Sequence, residues 1–256
     1  MVQGREGAVA RRTRATRGVR VIAILLAAAT AAPEPAWEAE RAYARDAQTR
    51  GQWTAFRATA AEDAVIFVPE PRKAREWLRG RADPPVSVMW WPARSWRSCD
   101  GRAAVNFGPW LRKGGSLAGT FTSIWTRAPG GAWQWTLDRG TQVPRPVAAG
   151  ERPKLVSASC ANRGAAPRAP LGDARDADML LQLGDHAPAP PDVPAPPGGE
   201  GDIIQAGAAP DGTLRWEVRQ IKDAPPGEHV VRVWRWDGSR QRLAVYETTQ
   251  ESAGAR

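Results

Sequence analysis

The sequence predicts an α+β fold: N-terminal helices, a curved antiparallel sheet that can fold round them, and a C-terminal β extension. Three observations carry this. Residues 36–60 repeat apolar positions at a helical period. Residues 86–138 repeat them at period two between Gly-rich turns, and hold seven of the thirteen tryptophans. Residues 214–246 return to period two after a stretch rich in Pro, Ala and Gly.

The first helix is expected over residues 33–50. Pro35 suits a first turn, Ala36, Ala39, Tyr43 and Ala47 share one face, and Gly51 stops it. A second helix over 52–61 carries Trp53, Phe56 and Ala60 on one stripe. Val65–Val68 reads as a short buried strand, and 72–79 as a third helix with Trp77 inward. Val86, Val88 and Trp90 then alternate with Ser87, Met89 and Trp91. Asp100-Gly101 is a hairpin signal, and Ala103, Val105 and Phe107 share one face of the return strand. Gly108-Pro109 predicts a bulge or bend. Leu117 to Trp125 alternates after a turn at Lys113-Gly114-Gly115. The last strand puts Trp133, Trp135 and Leu137 on one face and Gln134, Thr136 and Asp138 on the other. Together these four strands form an antiparallel meander.

The ends have different characters. Six arginines precede an apolar run, Val21–Ala29, which closes on Ala29-Thr30-Ala31. That is the pattern of a signal peptide over 1–31, cleaved near Ala31, and it predicts a periplasmic or secreted protein. The run is too short for a spanning helix, which needs roughly 20 apolar residues, so no membrane span is expected after cleavage. The main domain is expected over 33–143 and a connector with a Pro/Ala/Gly-rich linker over 144–201. Within that linker Ala177–Leu183 reads as a turn or two of helix. A β segment follows over 202–248 and a tail over 249–256. Residues 1–32 hold +5 of the formal +9, leaving +4 scattered over the other 224 residues. Without clustering, nucleic-acid binding is not expected. Cys99 and Cys160 are the candidate disulfide, an even pair in an exported chain. His186 and His229, the only histidines, are remote from both cysteines, so neither metal nor cofactor is expected.

The order of helices and strands, with Tyr43, the Trp53…Phe56 helix, Asp63-Ala64 and the final Gly131-Ala132-Trp133-Gln134-Trp135 strand, resembles the nuclear-transport-factor-2-like superfamily. More narrowly it resembles the SnoaL-like and ketosteroid-isomerase-like group. The resemblance implies a cone-shaped α+β barrel, a curved sheet closed by helices round an apolar pocket. It also implies an acid–base chemistry in which an Asp base works with a Tyr or protonated acid as hydrogen-bond donor. The position of that base falls on Val68 here, and no histidine lies in residues 36–140. Both departures argue against the group's reactions.

No catalytic set stands out; Tyr43, Asp138 and Glu70 are the candidates. Pocket-lining candidates are Trp53, Phe56, Trp77, Trp90, Trp110, Phe121, Trp125, Trp133 and Trp135, with the competing reading that these rings are simply core. Three functions follow. The first is an exported, non-catalytic domain binding a small apolar ligand. The second is an isomerase or dehydratase-like enzyme using Tyr43 with Asp138 or Glu70. The third is an envelope interaction protein that docks through an apolar patch on its β tail. A homodimer stays open as a partner state.

Overall fold

The computed structural model describes residue 1 and residues 34–143, 148–183, 200–224 and 227–249. The expected cleavage site and the Pro-rich run after His186 lie outside the described residues.

Helix α1 (Ala36–Arg50) starts directly after Pro35, whose φ of −70° suits a helix entry. Its buried stripe is Ala36, Glu40, Tyr43, Ala44 and Ala47. Gly51 ends it at φ 108°, where a side chain would also strike the Asp83 carboxyl at 2.3 Å. Asp83 holds that space because it caps α2 (Gln52–Thr59), accepting from Thr54 N at 2.9 Å and Thr54 Oγ1 at 2.6 Å. Helix α2 ends two residues early, since β1 (Ala60–Phe67) already begins at Ala60. The third helix is shorter than expected too: residues 71–73 pair with β1 as β2 (Pro71–Lys73), and α3 is Ala74–Leu78.

The rest of the first sheet is β3 (Met89–Trp90), β4 (Arg94–Arg97), β5 (Ala103–Arg112), β6 (Leu117–Thr126), β7 (Gln134–Gln142) and β8 (Lys154–Ser157). The order is β2-β1-β7-β6-β5-β4-β8, with β3 on β5. Strands β4 to β7 are the expected meander. The sheet as a whole is mixed rather than antiparallel, because β1 joins β7 and β8 joins β4 in parallel.

The expected bulge at Gly108-Pro109 is absent, and β5 pairs with β6 without a break. Gly108 serves close approach instead: a Cβ there would lie 2.1 Å from the Trp91 carbonyl. The irregularity is in β7, where Ile124 faces Leu137 but Trp125 faces Trp135. Thr136 is the extra residue, and its hydroxyl bonds the Ile124 carbonyl at 3.3 Å. Trp135 therefore faces the helices while Leu137 faces away, against the simple alternation.

A second sheet contains β9 (Leu171–Leu183), β10 (Glu200–Ala208), β11 (Leu214–Ile221), β12 (His229–Trp236) and β13 (Gln241–Thr249), in the order β10-β11-β12-β13-β9. Residues expected to be linker thus contribute β8, a short 3-10 turn (Arg163–Arg168) and β9. Ala177–Leu183 is strand, not helix. Its apolar run suits either form, and pairing along β13 satisfies a backbone edge otherwise left bare.

The two sheets pack face to face. Phe67, Trp96, Val105, Phe107, Ile124 and Leu137 of the first interlock with Leu214, Trp216, Val218, Val231, Val233 and Val245 of the second. Each such side chain contributes about 1.5–3 kcal/mol when fully buried. Trp216 is buried in this interface, Trp234 lies in a separate cluster with Ile221, Val230, Leu243 and Tyr246, and Trp236 is buried too, so these three rings form no exposed patch. At one end the Cys99–Cys160 disulfide, with Cα atoms 5.2 Å apart, ties the β4–β5 turn to the connector. Cys99 N and Asp100 N beside it donate to Thr213 Oγ1 and Asp211 Oδ2 of the β10–β11 turn, both at 2.8 Å. Among the described residues no helix is long and apolar enough to cross a membrane.

Candidate functional site

The helix-facing side of the first sheet carries the chemistry. Register assigns its rows: Ala104, Trp125 and Trp135; then Asn106, Ser123 and Asp138; then Gly108, Phe121 and Gly140; then Trp110, Gly119 and Gln142. One row is polar. The neighbouring rows are aromatic, small or glycine, apart from Gln142 at the rim.

Glu40 of α1 lies over the polar row and is sealed from solvent. Trp90 Nε1 donates to it at 2.8 Å, Asn106 Nδ2 at 3.2 Å and Trp125 Nε1 at 2.6 Å, and the Ser123 hydroxyl also donates to it. These donors come from β3, β5 and β6. Burial pushes the Glu40 carboxyl up, and the four hydrogen bonds pull it back part of the way. All four contacts are donors, so they fit the ionised, acceptor-only form.

Asp138 stands directly opposite Ser123. The Thr136 bulge is what turns it to the same side as Trp135 rather than the opposite one. Unlike Glu40 it is only half-buried. Burial pushes its carboxyl well above the usual carboxylate range, and the nearby Glu40 charge adds to the push. Arg139 does not pair with it; that guanidinium faces the second sheet and bonds Glu247.

Tyr43 follows Glu40 by one turn of α1. Its ring touches Phe56 and Trp90, both with centroids at 4.9 Å, and Trp125 at 5.6 Å. Its hydroxyl is buried with no hydrogen-bond partner among the described residues. Burial, then Asp138, then Glu40 push that hydroxyl well above its ordinary pKa, so it stays a proton donor. The Asp138 charge reaches Tyr43, while Glu70 sits at the β1–β2 turn, 2.6 Å from Arg72. Asp63 is exposed.

All nine aromatic candidates gather on this side. Phe56, Trp90, Phe121, Trp125 and Trp135 are buried in the cluster, and Trp53, Trp77, Trp110 and Trp133 pack against it partly exposed. Beyond Asp138 the face opens: Gly140 and Gln142 are exposed, and Trp110 is half-buried. The Trp110 ring lies against Gly119 and Gly140, where a Cβ would come within 2.2 Å and 3.2 Å of it. Its indole N–H is held by the Thr120 carbonyl at 3.0 Å. Val68, just after β1, packs partly buried against the same cluster. Among the described residues no cluster of three His, Cys, Asp or Glu side chains could hold a metal ion.

Glu40 is the residue that sequence reasoning passes over. A glutamate in an Ala-rich helix reads as solvated, yet it falls on the stripe of Ala36, Tyr43 and Ala47, and that stripe was the available signal.

No family model matches the chain, and no curated protein does. Solved structures similar to it include a candidate ketosteroid isomerase from Parabacteroides distasonis. It is 16% identical over 43% of this chain and 90% of that one, with a TM-score of 0.35. A protein of unknown function from Pectobacterium atrosepticum, of the DUF3225 family, is 14% identical over 41% of this chain and 87% of that one, with a TM-score of 0.32. An NTF2-like protein from Bacteroides fragilis is 10% identical over 86% of this chain and 100% of that one, with a TM-score of 0.22. These are likenesses of fold and bear on nothing further.

Proposed function

We propose that this is an exported protein that binds a small apolar or amphipathic molecule along the open strip without transforming it. The observation that carries the reading is a row of aromatic side chains leading to half-buried Asp138, whose charge reaches the buried Tyr43. Both are proton donors in the states their surroundings favour. They suit an acceptor oxygen on a ligand whose remainder lies against Trp110, Phe121 and Val68. Export rests on the leader pattern, and the disulfide is compatible with an oxidising compartment.

The enzyme reading draws on the same two residues. It requires Asp138 to be ionised before it can take a proton, and burial beside Glu40 favours the neutral acid instead. Protein purified from its own host should carry a small molecule, released on denaturation and identified by mass spectrometry. Tyr43→Phe should lower its occupancy. Deuterium uptake next to the carbonyl of a bound ketone would overturn the non-catalytic reading. Intact mass should place the mature N-terminus near Ala32, and a chain starting at Met1 would sink the export claim.

A further inference from the structure

The two ends of the Cys99–Cys160 bond differ. Cys99 is half-buried in the β4–β5 turn, with its N–H held by Thr213 Oγ1 at 2.8 Å. Cys160 is exposed on the connector. Arg163, further along the connector and exposed itself, directs Nη1 at Cys99 Sγ from 3.9 Å. One sulfur is thus open to attack from solvent, and the other has a cation beside it. The acids in this corner are engaged elsewhere. Asp100 Oδ1 accepts from Ser98 Oγ and Arg102 N, and Asp211 accepts from Asp100 N, Thr213 N and Thr213 Oγ1.

The bond is not the connector's sole anchor. Ser159 N donates to the Trp236 carbonyl at 2.8 Å, Trp236 Nε1 to the Ala161 carbonyl at 2.7 Å, and Asn162 Nδ2 to the Gly238 carbonyl at 3.1 Å. These contacts fasten residues 159–162 to the β12–β13 hairpin, whereas Cys99 belongs to the first sheet. Ala158 N, donating to the Arg97 carbonyl at 2.9 Å, ties the connector to β4 as well. Opening the bond therefore leaves the two sulfurs near each other, placed to rejoin.

We propose that this disulfide is a directional thiol-exchange site that takes a dithiol as its reductant. One thiolate of the dithiol attacks the exposed Cys160 Sγ. The Cys99–Cys160 bond breaks, and Cys99 leaves as a thiolate beside Arg163. The second thiolate of the reductant then displaces Cys160 from the mixed disulfide. The dithiol ends as a disulfide, and its two electrons and two protons end on Cys99 and Cys160 as two thiols. Access decides which sulfur is attacked, and a neighbouring cation stabilises the thiolate that departs. The bond is then a removable pin between the first-sheet turn and the connector. This inference is independent of the ligand reading.

The test uses the full chain under native conditions, with glutathione as the probe. A single thiol reports the first step alone. The exchange is stopped with iodoacetamide, and both cysteines are mapped by mass spectrometry after digestion. Glutathione should sit on Cys160 and the alkyl group on Cys99, with a bias of at least about tenfold. Arg163→Ala should slow the step about two- to fivefold, through the poorer leaving thiolate. Arg163→Lys should restore most of the rate, and salt near roughly 1 M should erase the difference between the variants. A purely structural role for Arg163 would show neither the rescue nor the salt effect, and the position is exposed, so folding is not at stake. Adducts split evenly between the two cysteines would overturn the proposal. So would exchange no faster than global unfolding, or an Arg163→Ala rate equal to that of the unsubstituted protein.

Discussion

Arg139 and Glu247 form a 2.6 Å ion pair between the two sheets, each nearly sealed from solvent. Thr122 Oγ1 donates to the second Glu247 oxygen at 2.7 Å, and Arg139 Nη2 donates to Thr141 Oγ1 at 2.7 Å. Arg139 follows Asp138, and Thr122 precedes Ser123, so the site strands are keyed from behind by β13. Glu247→Ala should destabilise the protein by about 3–5 kcal/mol, because it strands a buried charge. Replacing both partners with Met and Leu should cost far less. Urea unfolding of the single and double variants decides it: equal losses would refute the pairing argument.

Much of this was legible in the sequence, for identifiable reasons. Helices α1 and α2 announce themselves through stripes and the Gly51 break. Strands β5 and β6 alternate cleanly because one face meets helices and the other meets a second sheet. Tyr43, Cys99 and Cys160 sit where the reading puts them. The Thr136 bulge was not legible, since Trp133, Trp135 and Leu137 alternate without a visible interruption; only pairing with β6 and β1 imposes the extra residue. Strand β9 was hidden because its partner, β13, lies some 60 residues on in sequence and supplies the reason for its extended form. Glu40 was hidden because helix periodicity weighs a glutamate as a surface residue, whereas its four donors come from distant strands.

His229 gives a pH signature. It is buried against Phe67, with ring centroids 4.0 Å apart, and burial followed by the Arg139 charge holds its pKa well below the ordinary value. The unfolded chain then binds a proton near pH 6.5 that the folded chain refuses. Stability from this group is complete above that pH and is lost as pH falls below it, by up to about 1.4 kcal/mol per pH unit. His229→Gln should flatten the decline between about pH 6.5 and 5. Urea midpoints that fall equally in both proteins would contradict this.

Asp138 has the opposite sign. Its folded pKa is raised, so the folded chain keeps a proton that the unfolded chain releases near pH 3.9. The contribution is intact below that pH and fades as pH rises toward the folded value. Asp138→Asn should therefore gain stability relative to the unsubstituted protein as pH rises from 4 to 8. A constant difference across that range would show that the carboxyl is ionised throughout.

Gly119→Ala should be costly despite its modest size. The new methyl would sit 2.2 Å from the Thr141 carbonyl and from the Trp110 ring. Overpacking of this kind costs about 1–3 kcal/mol. The displaced indole should also shift the tryptophan emission, and an unchanged spectrum would mean that Trp110 does not rest on this backbone.

The Cys99–Cys160 bond closes a loop of 61 residues. Cross-linking a loop of that length is worth about 4 kcal/mol in the chain-entropy account. The Cys99→Ser/Cys160→Ser double variant should lose most of that in urea unfolding. Cys160 is exposed, so a dithiol should produce the same loss without prior unfolding. Full resistance of the folded protein to reduction would count against it.

The face-to-face packing of the two sheets also bears on the order in which the chain is made. Phe67, Trp96, Val105, Phe107, Ile124 and Leu137 are all synthesised before Leu214, the first of their partners on β11 to β13. During that interval the newborn first sheet presents a broad greasy surface with nothing to shield it. We expect a version ending at Val143 to aggregate or to bind an apolar dye strongly, and to be rescued by adding back a peptide spanning β10 to β13. A well-behaved 34–143 fragment would show instead that the earlier half is self-sufficient.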